Sequence, residues 1–118
     1  MHELGVVFYV IKDVNAIAKE NNISKVASVT LQIGEVSGVV CHLLEDCFKW
    51  AAAKEPVMAD AKLNIEEIKA VTFCEDCHGE YETVKYAKVC PHCGSSNTYL
   101  LSGNEFIIKE IEVYDEAD

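Results

Sequence analysis

The chain has 118 residues, 20 Asp and Glu against 10 cationic side chains, and a formal net charge of -10. Half of its residues are hydrophobic, enough to form a core, so a disordered acidic tail is excluded, as is a spanning helix, which needs ~20 uninterrupted apolar residues. All ten cations are Lys; without the guanidinium fork, and at this charge, binding to a nucleic-acid polyanion is disfavoured.

Leu4, Val7, Ile11, Val14 and Ala18 recur at alternating spacings of three and four, with Ile17 widening the stripe, which predicts an amphipathic helix over residues 2–21. The period then falls to two. Val29, Leu31 and Ile33 alternate with Ser28, Thr30, Gln32 and Gly34, the pattern of a half-buried strand. Leu43, Leu44, Cys47, Phe48, Trp50 and Ala51 give residues 42–54 a broad apolar helical face, which Glu55-Pro56 ends. Residues 62–69 form a second strand, with Ile68 breaking the alternation of Leu63 and Ile65 and so predicting a bulge. Glu105–Tyr114, rich in β-branched and aromatic residues, forms a third. The fold class is α+β: a small three-stranded sheet with two helices, and an inserted module resembling a zinc ribbon. The expected division is a core of residues 1–69 and 104–118 around an insertion at residues 70–103. Hinges are expected at Ala70–Thr72 and Ser102–Gly103. The long excursion before the last strand allows a domain-swapped homodimer.

The insertion carries the clearest chemistry. Cys74-Glu75-Asp76-Cys77 and Cys90-Pro91-His92-Cys93 are two C-x-x-C pairs twelve residues apart. Each pair places two thiolates on one side of a tight turn, and two such turns complete a tetrahedral site suited to structural Zn²⁺. Two disulfides, or a rubredoxin-like iron site in a small redox protein, are the rival readings. Gly79 and Gly94 are expected to take positive φ and aim amide N–H groups at the sulfurs. His78 and His92 flank the ligands, as surface or supporting residues. No basic and apolar leader precedes the first helix, so export and a disulfide scaffold are not expected.

The amino terminus offers a second metal chemistry. With His at position 2, the Met1 amine, the deprotonated His2 amide and the imidazole form adjacent chelate rings. Three nitrogens in a plane favour Ni²⁺ or Cu²⁺ over Zn²⁺. Glu3 adds a carboxylate. Equally, His2 and Glu3 are the ordinary polar start of a helix.

Met1-His2-Glu3-Leu4, Gly34-Glu35-Val36-Ser37-Gly38, the two C-x-x-C pairs and Gly103-Asn104-Glu105 stand in this order along nearly the whole chain. Together they resemble the HypA/HybF family of hydrogenase maturation factors. The resemblance implies a cytoplasmic nickel metallochaperone, not an enzyme. It implies nickel at His2 and the terminal backbone with Glu3 in support, and zinc at Cys74, Cys77, Cys90 and Cys93. The implied partners are a HypB-type nickel GTPase, the [NiFe]-hydrogenase large-subunit precursor and, in some relatives, urease maturation proteins. Some relatives carry an Asp near position 40, where this chain has Val40-Cys41-His42, and some carry a His beyond the second Cys pair, where residues 94–104 have none. The fourth nickel ligand is thus open among Cys41, His42, Asp46, water and a partner. Cys47, on the apolar stripe, is expected to be buried and inert. A zinc-ribbon interaction or nucleic-acid-binding module is the alternative function, which the charge opposes.

Overall fold

The structure is a computed structural model and describes residues 3–114. Nine elements follow in order: α1 (Glu3–Glu20), β1 (Val26–Gly34), α2 (Cys41–Ala52), β2 (Lys62–Ile68), β3 (Val71–Cys74), β4 (Glu80–Glu82), α3 (Thr83–Tyr86), β5 (Thr98–Ser102) and β6 (Phe106–Val113). They build two three-stranded sheets, one ordered β2-β1-β6 and the other β4-β3-β5. The predicted class, a small α+β sheet with two helices plus a cysteine-bearing module, is the one observed.

The chain divides into two compact units: residues 1–31, 39–66 and 107–118, and residues 32–38 and 67–106. In the first, Val7, Val10, Val14 and Ala18 of α1, Val29 and Leu31 of β1, and Leu44, Phe48 and Ala51 of α2 are buried together with Met58. Two expected stripes shift. In α1 the buried line runs through Val10, while Leu4 and Ile17 are exposed. In α2, Leu43 and Trp50 turn outward, and the Lys54 ammonium sits 3.4 Å from the Trp50 ring centroid. A cation over an indole face stabilises an aromatic that burial does not. Cys47 is half-buried rather than enclosed.

β1 is the middle strand, and both of its faces are covered. Ser28 and Thr30, expected on a wet face, are 5% exposed. Ser28 donates to Glu112 at 2.6 Å and Asn64 reaches Thr30 at 3.5 Å, so long polar side chains from the flanking strands shield the small ones between them. Leu63, Ile65 and Ile68 are the half-buried residues of β2, so the pattern slips by one residue before Ile68, where the sequence predicted an irregularity.

In the second unit β3 pairs antiparallel with β4 and with β5, joining Thr72 to Tyr81 and to Leu100. The register to β5 shifts between Val71 and Thr72. Thr72, expected in a hinge, is instead buried in β3, and its hydroxyl shares a 2.6 Å hydrogen bond with that of Thr83. Gly103 has φ +111°, open to glycine alone, and a Cβ on it would strike Ala70. Gly34 is held as closely: Gly34 donates to the Glu105 carbonyl and Val36 to the Gly103 carbonyl, both at 2.8 Å.

Candidate metal centre

β3 ends at Cys74, and the two C-x-x-C turns repeat one design. Cys74 N–H donates to the Gly79 carbonyl at 2.8 Å, and Cys90 N–H to the Ser95 carbonyl at 2.9 Å. His78 N–H returns to the Cys74 carbonyl at 2.9 Å, and Gly94 N–H to the Cys90 carbonyl at 2.8 Å. In both turns the residue four after the first cysteine takes positive φ: +61° at His78 and +74° at Gly94. The expectation for Gly79 is thus corrected, because the left-handed position falls one residue earlier, on a histidine. A Cβ at Gly79 would lie 3.4 Å from Cys77 Sγ and 3.5 Å from the His92 ring, ordinary van der Waals distances, so the turn itself does not demand glycine there.

All four thiols converge. Their Sγ atoms lie within 4.8 Å of one another, with Cys74 to Cys93 at 3.5 Å and Cys77 to Cys90 at 3.6 Å. These separations are far beyond the ~2.05 Å of a disulfide, and no disulfide joins the cysteines of the described residues. A tetrahedron with ~2.3 Å metal–sulfur bonds has edges of about 3.8 Å, so the donor set fits a closed four-thiolate metal site. Cys74 and Cys90 are buried, Cys77 and Cys93 exposed.

Backbone amides feed the sulfurs. Burial raises the Cys90 pKa, but the Cys93 and His92 amides and the Cys77 and Cys93 thiols outweigh it, and the net value falls to about 6. The Ser95 amide favours a thiolate at Cys93, yet the crowding thiols of Cys74, Cys90 and Cys77, together with burial, drive it to about 12. For Cys77 the Gly79 amide likewise pulls down, and Cys90, burial and Cys74 prevail upward. Without a cation, then, the surroundings favour charge at Cys90 and oppose it at Cys77 and Cys93; a dication beside the sulfurs favours the thiolate.

A carboxylate ties the two turns together. Asp76, in the first turn, accepts from the Ser95 hydroxyl and from Asn97 Nδ2 at 3.5 Å, both beyond the second turn. Those bonds hold its carboxyl below the ordinary value. Glu75 N–H adds a bond to the Asn97 carbonyl at 3.0 Å. His78 and His92 are both exposed, and the His78 ring stands 6.0 Å from that of Phe73.

Of the amino-terminal candidates, Met1 and His2 lie outside the described residues. Glu3 opens α1, and its carboxylate accepts the Val40 N–H at 3.1 Å. His42 is exposed at the start of α2, and Asp46 lies further along it beside a hollow of about 540 Å³ formed with residues 59–64. The Asp76 clip was not read from the sequence; an acid between the first pair of cysteines, with Ser and Asn just past the second, was the available signal.

The family model for hydrogenase/urease nickel incorporation, the metallochaperone HypA, matches residues 1–113. The chain belongs to the HypA family. It is 32% identical over 118 residues to the hydrogenase maturation factor HypA of Pelodictyon phaeoclathratiforme, covering all of both chains. It is 38% identical over 114 residues to that of Aquifex aeolicus, covering 96% of this chain and 97% of the relative. Among solved structures, the nickel metallochaperone HypA of Helicobacter pylori superposes with a TM-score of 0.71 at 31% identity, over 98% of this chain and 100% of the other. The family is one of metallochaperones for hydrogenase maturation, not of enzymes. Among the described residues no helix is long and apolar enough to cross a membrane.

Proposed function

We propose that the chain binds Ni²⁺ at its amino terminus and delivers it to the [NiFe]-hydrogenase large-subunit precursor, in the cytoplasm and together with a HypB-type GTPase. Family membership over residues 1–113 is the observation that carries this reading. The same family description names urease, so a urease maturation complex is a second recipient. His2, with the Met1 amine and the residue-2 amide, supplies nitrogen ligands. Glu3 supports them and, through its bond to Val40, ties the start of α1 to the start of α2. Cys74, Cys77, Cys90 and Cys93 hold a resident Zn²⁺ within an inserted domain at residues 70–103.

The two donor sets divide the labour. Four thiolates leave a dication no open position, which suits permanence. Nitrogen ligands at a chain terminus favour Ni²⁺ and break few tertiary contacts on release, which suits a cargo. Equilibrium dialysis of tag-free protein against Ni²⁺, with metal analysis, tests the reading. His2→Ala, or one residue added before Met1, abolishes nickel binding and leaves one zinc per chain. Nickel affinity that survives both changes overturns it.

A further inference from the structure

The four sulfurs are not equivalent. Cys74 and Cys90, the first cysteine of each turn, are buried, whereas Cys77 and Cys93, the second of each, are exposed. The two close approaches join unlike members of opposite turns: Cys93 Sγ lies 3.5 Å from Cys74 Sγ, and Cys77 Sγ lies 3.6 Å from Cys90 Sγ. Each exposed thiol thus has a buried one behind it. A solvent-accessible cysteine poised beside a second that can resolve it is the arrangement of thiol redox sensors. Protein groups alone also hold the turns face to face, through the Ser95 and Asn97 bonds to Asp76 and the Glu75 N–H bond to the Asn97 carbonyl. Loss of one sulfur from a metal therefore does not part them.

We infer that a peroxide oxidises the cluster across the turns, to Cys77–Cys90 and Cys74–Cys93 disulfides, with release of the metal that the four thiolates hold. The inference rests on the zinc reading above; the pairing rests on the sulfur positions alone. The Cys77 thiolate attacks one oxygen of hydrogen peroxide. An S–O bond forms, the O–O bond breaks, the departing oxygen leaves as water, and Cys77 becomes a sulfenic acid. The Cys90 thiolate then attacks that sulfur; the S–S bond forms, the S–O bond breaks, and the oxygen leaves as a second water. Two thiolates lose two electrons, and one hydrogen peroxide with two protons becomes two waters. Cys93 and Cys74 repeat the sequence with a second peroxide. The thiolate, not the disulfide, is the metal ligand, so the oxidised sulfurs no longer hold the dication. Closing a 3.6 Å separation to the ~2.05 Å of a disulfide needs only a small movement. A metal cross-link is thus exchanged for two covalent ones between the same turns, and the segment gives up its metal while staying closed. Pairing within each C-x-x-C would leave the turns without a covalent link to each other.

Tag-free, zinc-loaded protein is titrated with hydrogen peroxide beside a peroxide-free control. Released zinc is read with a chromogenic chelator, and the cross-links by tryptic mass mapping without reduction. Lys85 and Lys88 lie between the turns, so trypsin separates residues 70–85 from residues 89–109 unless disulfides join them. One zinc is expected to leave for every two peroxides consumed, and the two peptides to stay joined, with fragmentation placing the links at Cys77–Cys90 and Cys74–Cys93. Dithiothreitol with added ZnCl₂ is expected to reverse both. Cys41 and Cys47 of α2 are the internal controls: about 9 Å apart along the helix axis, they cannot bridge and should stay thiols. Amide exchange over residues 74–93 is expected to be at least tenfold slower in the oxidised, metal-free protein than in the reduced, metal-free one. Zinc that stays bound, separate peptides carrying links within each C-x-x-C, or sulfinic acids at Cys77 and Cys93 beside unreacted Cys74 and Cys90 would each overturn the inference. If the purified protein contains no zinc, the zinc reading fails at metal analysis, and the mapped cross-links still decide the pairing.

Discussion

The Gly103 carbonyl lies where a side chain on Gly34 would begin. Both glycines belong to the short segments that, with the cysteines, carried the family resemblance, and the contact gives those segments a physical reason. A methyl at position 34 meets backbone, which yields far less readily than a side chain tip, and it also strains the Val36 bond to the same carbonyl. Gly34→Ala is expected to destabilise the metal-loaded protein by about 2–3 kcal/mol, the upper range for overpacking. Urea denaturation checks it; a change below about 0.5 kcal/mol would show that the backbone there gives way freely.

Removal of metal should act locally. The segment from Cys74 to Cys93 buries little besides Cys74, Tyr81 and Cys90, so metal coordination supplies much of its folding free energy. A chelator with a thiol-blocking reagent is expected to raise amide exchange throughout residues 74–93. Amides of α1 and α2, whose core is Val7, Val10, Val14, Leu44 and Phe48, should keep most of their protection. Equal exchange in the cysteine turns with and without metal would contradict this account.

His78 occupies a left-handed position that its counterpart Gly94 fills without a Cβ. A β-branched residue tolerates that conformation worst. His78→Val is expected to cost about 1–2 kcal/mol, whereas His78→Asn should leave the melting temperature within a few degrees of the wild type. Thermal melts of the zinc-loaded variants distinguish this backbone effect from any role of the imidazole, since both variants remove the ring.

Asp76 links the turns through Ser95 and Asn97, and its carboxyl sits below the ordinary pKa. A group depressed in the folded state stabilises it fully above the unfolded-state pKa, and the effect is lost only as pH falls through the folded value. Near neutrality the clip is therefore complete. Asp76→Ala is expected to release Zn²⁺ several-fold faster to a chromogenic chelator between pH 6 and 8, by an amount that does not vary over that range. An advantage of wild type over variant that grows or shrinks across this window would assign the effect to another group.

How much of this was legible beforehand depended on chain length and period. α1, α2 and β1 announced themselves because periodic burial over nine or more residues leaves a pattern in sequence. The four cysteines were legible because metal chemistry fixes their spacing. β5 was missed: five residues, with Tyr99, Leu100 and Leu101 all exposed, carry no alternation to read. The burial of Ser28 and Thr30 is not legible in the same way, because it needs β1 to lie between β2 and β6, and β6 comes from the far end of the chain. The left-handed position of the first turn falls one residue before Gly79 because the turn's hydrogen bonds select the fourth residue after the cysteine whatever its side chain.

The strand order β2-β1-β6 has a consequence for synthesis on the ribosome. β1 and β2 emerge early, but β6 leaves the tunnel last, after the whole cysteine-bearing segment. Until then one edge of β1 is open, with Val29, Leu31 and Ile33 incompletely covered, a state prone to misassociation. Clamping the cysteine turns with a metal shortens the slack that β6 must cross to dock, which lowers the entropy of closure. Supply of the metal that the four cysteines take thereby sets how long each nascent chain stays vulnerable, so chains made without it are expected to be lost to aggregation and degradation.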